Sequence, residues 1–177
     1  MKKGFTLIEL LVVIAILGIL AVVEVGAFRS SQMKGRDAQR KSDLKQIVNA
    51  LELYYQDHRQ YPGASGTMIA GCPSTTEGNC DWGYDDFTDG QTVYFKTLPS
   101  DPSESTIYQY YVNTARSKYK LFARLENQQD KNCIKGTNGV QGSTPNCINP
   151  VVVTCGGANI CNYGLTSTNT TVFEVFD

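Results

Sequence analysis

A carboxylate, Glu9, sits near the start of an apolar run from Phe5 to Phe28, in which the only strongly polar residues are Thr6, Glu9 and Glu24. A charged side chain at membrane depth costs about 3 kcal/mol or more, so it calls for a counter-charge, and a plain anchor has Leu or Val instead. The competing reading is a glutamate near enough to the helix end to reach the headgroups. The second chemistry-bearing set is six cysteines, Cys72, Cys80, Cys133, Cys147, Cys155 and Cys161, all in the Gly/Asn/Thr-rich portion beyond that run. An even number placed this way points to disulfides in an oxidising compartment. Zinc is the competing use, but zinc motifs bring two cysteines within about two to four residues of each other, and no C-x-x-C occurs. Catalytic constellations are missing from the sequence. There is no Ser-His-Asp elbow and no metal signature, and the one histidine, His58, reads as a solvated side chain at a helix end. The chain is expected not to be an enzyme, and no cofactor is implied.

The elements that position these groups divide the chain. Apolar residues make up 41% of its 177 residues, yet mean hydropathy is −0.25, so the hydrophobicity is concentrated, and it is concentrated at the N-terminus. As a helix, residues 5–28 span about 36 Å, enough to cross a hydrocarbon core of about 30 Å. An ordinary secretory signal has a shorter apolar core followed by a small-x-small cleavage site, and none follows here. Lys2 and Lys3 predict a cytoplasmic N-terminus with the remainder outside. About 150 residues remain for one modest domain. Sixteen Lys+Arg against seventeen Asp+Glu give a net charge of −1, so no basic field supports binding to nucleic acid.

Past Phe28, the basic stretch Arg29, Lys34, Arg36, Arg40, Lys41 and Lys45, diluted by Asp37 and Asp43, reads as a solvated amphipathic helix with Asp37 and Lys41 as an i,i+4 ion pair. Leu44, Ile47, Val48, Leu51 and Tyr55 recur at helical spacing and predict one apolar face laid on a sheet. Tyr61-Pro62-Gly63 ends the helix, with Gly63 allowing the turn. The helix is thus expected from about Phe5 to about Arg59, bending at Gly26 or Gly35. Ile107–Val112 and Tyr119–Leu125 read as an antiparallel hairpin, Thr92–Leu98 as a strand or short turn, and Thr171–Phe176 as a closing strand. Asn127–Asn169 is too long for an untied loop in a compact domain. Of the fifteen connectivities that six cysteines allow, the local one is preferred: Cys72 with Cys80, Cys133 with Cys147, and Cys155 with Cys161. The expected class is α+β, a long N-terminal helix whose C-terminal half packs on a small antiparallel sheet with disulfide-tied loops.

The run Gly4-Phe5-Thr6-Leu7-Ile8-Glu9-Leu10-Leu11-Val12-Val13-Ile14-Ala15-Ile16-Leu17-Gly18-Ile19-Leu20-Ala21 resembles the N-terminal signature of type IV pilins and type II secretion pseudopilins. Asp43–Asp57 followed by Tyr61-Pro62, and Leu98-Pro99-Ser100-Asp101-Pro102, are similar to the major pseudopilins and their pilin relatives. The resemblance implies a pilin fold. It also implies that a prepilin peptidase cuts between Gly4 and Phe5 and methylates the new Phe5 amine, and that Glu9 neutralises that amine on a neighbouring subunit. The implied divisions are a leader at 1–4, a membrane and filament-core helix at 5–28, an amphipathic helix at 29–59 and a head at 60–177. The precursor waits in the cytoplasmic membrane as a single-pass protein, engages an inner-membrane assembly platform, and becomes a homo-oligomeric helical filament outside. Many members carry a proline in the mature helix that lets it melt locally in the fibre. Leu20–Gly26 has none, leaving Gly18 and Gly26 as the weak points.

The same resemblance raises calcium in the head, for which Asp81, Asp85, Asp86 and Asp89 are candidate oxygens. Their spacing and the intervening Trp82-Gly83-Tyr84 do not fit an EF-hand loop, so acidic loop surface is the preferred reading. The function expected is a structural subunit of a type IV pilus-like filament, serving adhesion, motility or DNA uptake. The alternatives are a major pseudopilin of a type II secretion system and, from a different class, a single-span anchored extracellular enzyme or binding domain. Asn169-Thr170-Thr171 fits the minimal glycosylation sequon, a pattern common by chance.

Overall fold

The computed structural model describes residues 4–72, 78–134, 153–156, 160–171 and 174–176, with the backbone alone for residues 21–27. The chain forms two compact units, Met1–Arg36 and Asp37–Asp177. Helix α1 runs over Leu7–His58, and no proline precedes Pro62 to break it. It stops where Arg59 turns into the left-handed region at φ 57, with the Arg59 N–H donating to the Tyr55 carbonyl at 2.8 Å. Arg59 rather than a glycine makes this turn. Gly63 matters differently: a Cβ there would come within 2.7 Å of the Arg116 guanidinium.

Three small antiparallel sheets follow. The first orders β1 (Ala64–Ser65), β2 (Met68–Ala70) and β3 (Asn79–Cys80), and the second pairs β4 (Phe87–Thr88) with β5 (Val93–Phe95) across a bulge. The third carries the core, in the order β6 (Gln109–Val112), β7 (Tyr119–Ala123) and β8 (Tyr163–Thr166). The expected hairpin is β6–β7, in register with Tyr110 opposite Leu121. The expected closing strand is not where the alternation placed it. Thr171 and Glu174–Phe176 are outside any strand, and Val172 and Phe173 lie outside the described residues. The third strand comes instead from the Gly/Asn/Thr-rich stretch, with Leu165 opposite Leu121.

Both faces of the third sheet are covered, which is why every residue of β7 is buried. Tyr119, Leu121 and Ala123 join Leu44, Ile47 and Leu51 of α1 in the main core. Phe122, pointing the opposite way by strand alternation, packs with Ile134, Val153 and the Cys155–Cys161 disulfide. Val48 and Tyr55 lie partly buried along the same helical face.

Candidate functional site: the assembly surface

In the N-terminal unit the large apolar side chains from Phe5 to Leu20 are 46% to 81% exposed. A continuous apolar surface of this kind marks contact with lipid or protein. At its start the helix is capped reciprocally. The Thr6 N–H and hydroxyl donate to Glu9 Oε2 at 2.8 and 2.6 Å, and the Glu9 N–H lies 3.4 Å from Thr6 Oγ1. This is a capping box, which satisfies N–H groups that the first turn leaves unpaired. The T-x-x-E spacing carried that signal, and reasoning from charge alone missed it. Among the described residues no helix is long and apolar enough to cross a membrane. The span expected at 5–28 includes residues 21–27, whose side chains lie outside the described residues.

In the second unit, α1 is welded to the head by a buried ion network that overturns the solvated reading of this stretch. Arg40 is 1% exposed. Its Nε and Nη2 donate to the two oxygens of Asp101 at 2.9 and 2.8 Å, and its Nη1 reaches Asp37 Oδ1 at 2.8 Å and Glu126 Oε1 at 2.9 Å. Burial by itself lowers the pKa of the guanidinium, but its bonds to Asp101, Glu126 and Asp37 outweigh that and raise it. Asp37 also accepts the backbone N–H groups of Glu126 and Asn127 at 2.9 and 2.8 Å. The expected Asp37–Lys41 pair does not form. Asp37 pairs with Arg40, while Lys41 reaches across to Asp130 at 2.5 Å. One turn on, the Tyr108 hydroxyl donates to Asp43 at 2.8 Å.

Cysteines and one asparagine tie down the loops, with Cys72 and Cys80 in the main core and Cys155 and Cys161 in the layer over the far face of the third sheet. Cys72 bonds Cys80 and Cys155 bonds Cys161. Cys133 is also disulfide-bonded, and its expected partner Cys147 lies outside the described residues. Asn162, 5% exposed, accepts the Leu125 N–H at 2.6 Å and donates to the Leu125 carbonyl at 2.9 Å, acting as a strand partner where the ladder has ended.

Three of the acidic loop residues accept backbone N–H groups of their own neighbourhood. Asp85 accepts the Asp81 N–H, Asp86 the Thr97 N–H, and Asp89 the N–H groups of Gln91 and Thr92. The Thr92 and Gln91 bonds hold the Asp89 carboxyl below its usual range. Among the described residues no group of three or more His, Cys, Asp or Glu side chains is placed to hold a metal ion. His58 is not simply solvated: it stacks on Tyr54 and meets Asp89 at 3.0 Å.

Comparison with known proteins decides what this arrangement serves. A model of the prokaryotic N-terminal methylation motif matches residues 1–23, and a model of type II secretion system protein G matches residues 28–138. This chain belongs to the type II secretion protein G family. It is 34% identical over 125 residues to the type II secretion system core protein G of Pseudomonas aeruginosa, which covers 69% of this chain and 82% of that protein. Likeness to the core protein G of Aeromonas hydrophila is 35% over 101 residues, covering 57% and 67%. The type IV major pilin protein PilA of Myxococcus xanthus is 36% identical over 60 residues, covering 34% and 27%. No solved structure gives a significant match. Family members are membrane-anchored precursors that assemble into filaments. Within that family the chain is a structural subunit of an α+β, pilin-like fold that assembles with copies of itself, and it is not an enzyme.

Proposed function

We propose that the chain is the repeating subunit of a pilus-like filament, made with the 1–4 leader, anchored through residues 5–28 and cut between Gly4 and Phe5 by a prepilin peptidase that methylates the new amine. The observation that carries this reading is the exposed apolar helix bearing one carboxylate at its start. In lipid or in a filament core those side chains meet surroundings of equal polarity, so extraction from the bilayer meets little hydrophobic opposition. A buried carboxylate is tolerated there when the Phe5 amine of a neighbouring copy pairs with it, and that pairing sets axial register. The amphipathic half at 29–59 carries the head at 60–177 outside the cytoplasmic membrane, with an inner-membrane platform as the assembly partner. Likeness to core protein G over 69% of the chain and to PilA over 34% supports a filament subunit, of the pilus or of the secretion type alike.

The capping box supplies a clean test. Glutamine preserves the cap but not the charge, so Glu9→Gln is expected to insert in the membrane normally and yield no filaments by electron microscopy. Glu9→Leu should behave the same way. Normal filaments from Glu9→Gln would reduce Glu9 to a capping residue and remove the counter-charge from the account.

A further inference from the structure

Charge is divided unevenly along this chain. Residues 29–36 hold Arg29, Lys34 and Arg36 and no acid, whereas residues 37–177 hold eleven Lys+Arg against fifteen Asp+Glu, a net −4. Arg29 and Lys34 are exposed, and among the described residues neither has an ionic partner. Arg29 and Lys34 are thus left for something outside the subunit.

The head presents a matching feature. The loop after β3 and the loop between β5 and β6 flank a cleft of about 410 Å³ lined by Trp82, Tyr84, Ser100, Glu104 and Ile107. The two loops are held close: the Gly83 N–H donates to the Leu98 carbonyl at 2.7 Å, and at φ 86 a Cβ on Gly83 would come within 2.9 Å of Ser100. Tyr84 is 84% exposed and Ile107 44%. The Trp82 indole N–H is buried without an acceptor among the described residues. Asp101, which also borders the cleft, is already engaged by Arg40, so Glu104, exposed and without an ionic partner among the described residues, is the carboxylate on offer. An aromatic face beside a free carboxylate recognises a cationic side chain through the ring quadrupole and a charge-assisted bond together.

We propose that in the filament this Trp82–Tyr84–Glu104 cleft receives the basic helical stretch of a second copy, with Arg29 or Lys34 laid over the Tyr84 ring and against Glu104. The inference rests on the filament reading, and the copy is favoured over a neutral sugar because the chain itself supplies an unpaired cationic partner. Two subunits then touch at two places, through their apolar helices and through this charged seat, which fixes rotation as well as register.

The test uses the full-length chain in cells that assemble it, with sheared filament yield as readout. Glu104→Lys and Tyr84→Ala are each expected to lower yield at least about fivefold, since a well-packed aromatic or charge anchor carries much of an interface. Combining Glu104→Lys with Arg29→Glu and Lys34→Glu should restore yield to within about twofold of wild type, the expected sign of complementary charge pairing. In assembled filaments a Glu104→Cys chain also carrying Lys34→Cys or Arg29→Cys should form a bismaleimide-linked ladder, absent from the dispersed precursor. Unchanged thermal melting of each variant keeps a folding defect apart from an interface defect. Normal filament yield from Glu104→Lys, or a triple variant no better than the single one, overturns the seat while leaving filament assembly intact. Normal yield from Tyr84→Ala with loss only of surface adherence assigns the cleft to a glycan and overturns it too. Failure of the wild-type chain to make any filament strikes the underlying function instead.

Discussion

Two single residues in the second unit hold positions whose polarity only the fold explains. Asn162 offers its amide to both polar groups of the Leu125 backbone, and its own N–H and carbonyl bond Ala123 and Ile134. Asn162→Ala leaves a buried N–H and a buried carbonyl unsatisfied and is expected to cost about 2 to 4 kcal/mol in denaturant unfolding of the full chain. A loss near zero would show that water takes over both bonds. Asp43 is the opposite case, a carboxylate that the fold tolerates. Burial raises its pKa above 3.8, the Tyr108 bond pulls it back, and the Asp101 charge raises it further, for a net rise. The folded state therefore binds more protons than the unfolded one just above pH 3.8, and stability falls as pH rises through that interval. Asp43→Asn removes the titration while still accepting from Tyr108. The variant is expected to melt at or above wild type at pH 7, with the difference closing as pH approaches 4. A gap that widens on acidification would contradict this sign.

At the scale of elements, the helix and its main partner strands were readable and their joinery was not. Leu44, Ile47 and Leu51 at helical spacing, and the aromatic alternation of β6 and β7, each report burial directly through periodicity. Arg40 does not, because a buried guanidinium and a solvated one look alike in sequence, and Asp101, which decides between them, lies 61 residues away. Strand β8 was missed for a related reason. Tyr163-Gly164-Leu165-Thr166 has weak strand propensity and is held by pairing with β7, while Thr171–Phe176 alternates more strongly with no partner strand beside its described residues. Tertiary pairing overrode local preference. The same logic predicts that α1 depends on its network more than on its helix propensity. Arg40→Met, which leaves Asp37 and Asp101 buried without their cation, should destabilise the head by about 3 to 5 kcal/mol, and Arg40→Lys, lacking the bidentate fork, should recover only part. Equal stability of the Arg40→Met and wild-type chains in urea would mean that water enters and solvates both carboxylates.

For the whole molecule, two kinds of force act between copies and they respond differently to salt. Apolar contact between exposed side chains such as Leu7, Ile8 and Ile14 is insensitive to ionic strength, whereas attraction between the cations of residues 29–36 and a head region of net −4 is screened. Raising salt from about 0.05 M to about 0.5 M shortens the Debye length from about 14 Å to about 4 Å, so long-range steering between subunits is largely removed. Filament growth followed by light scattering is therefore expected to slow severalfold over that range, because steering enters the association rate. Filaments already formed should stay assembled, since their apolar helix contacts are unscreened. Growth that is indifferent to salt would mean the uneven charge plays no part in bringing copies together. Disassembly at high salt would mean that charge pairs, not the apolar helix, hold the filament, and would reverse the order of importance assigned to the two surfaces.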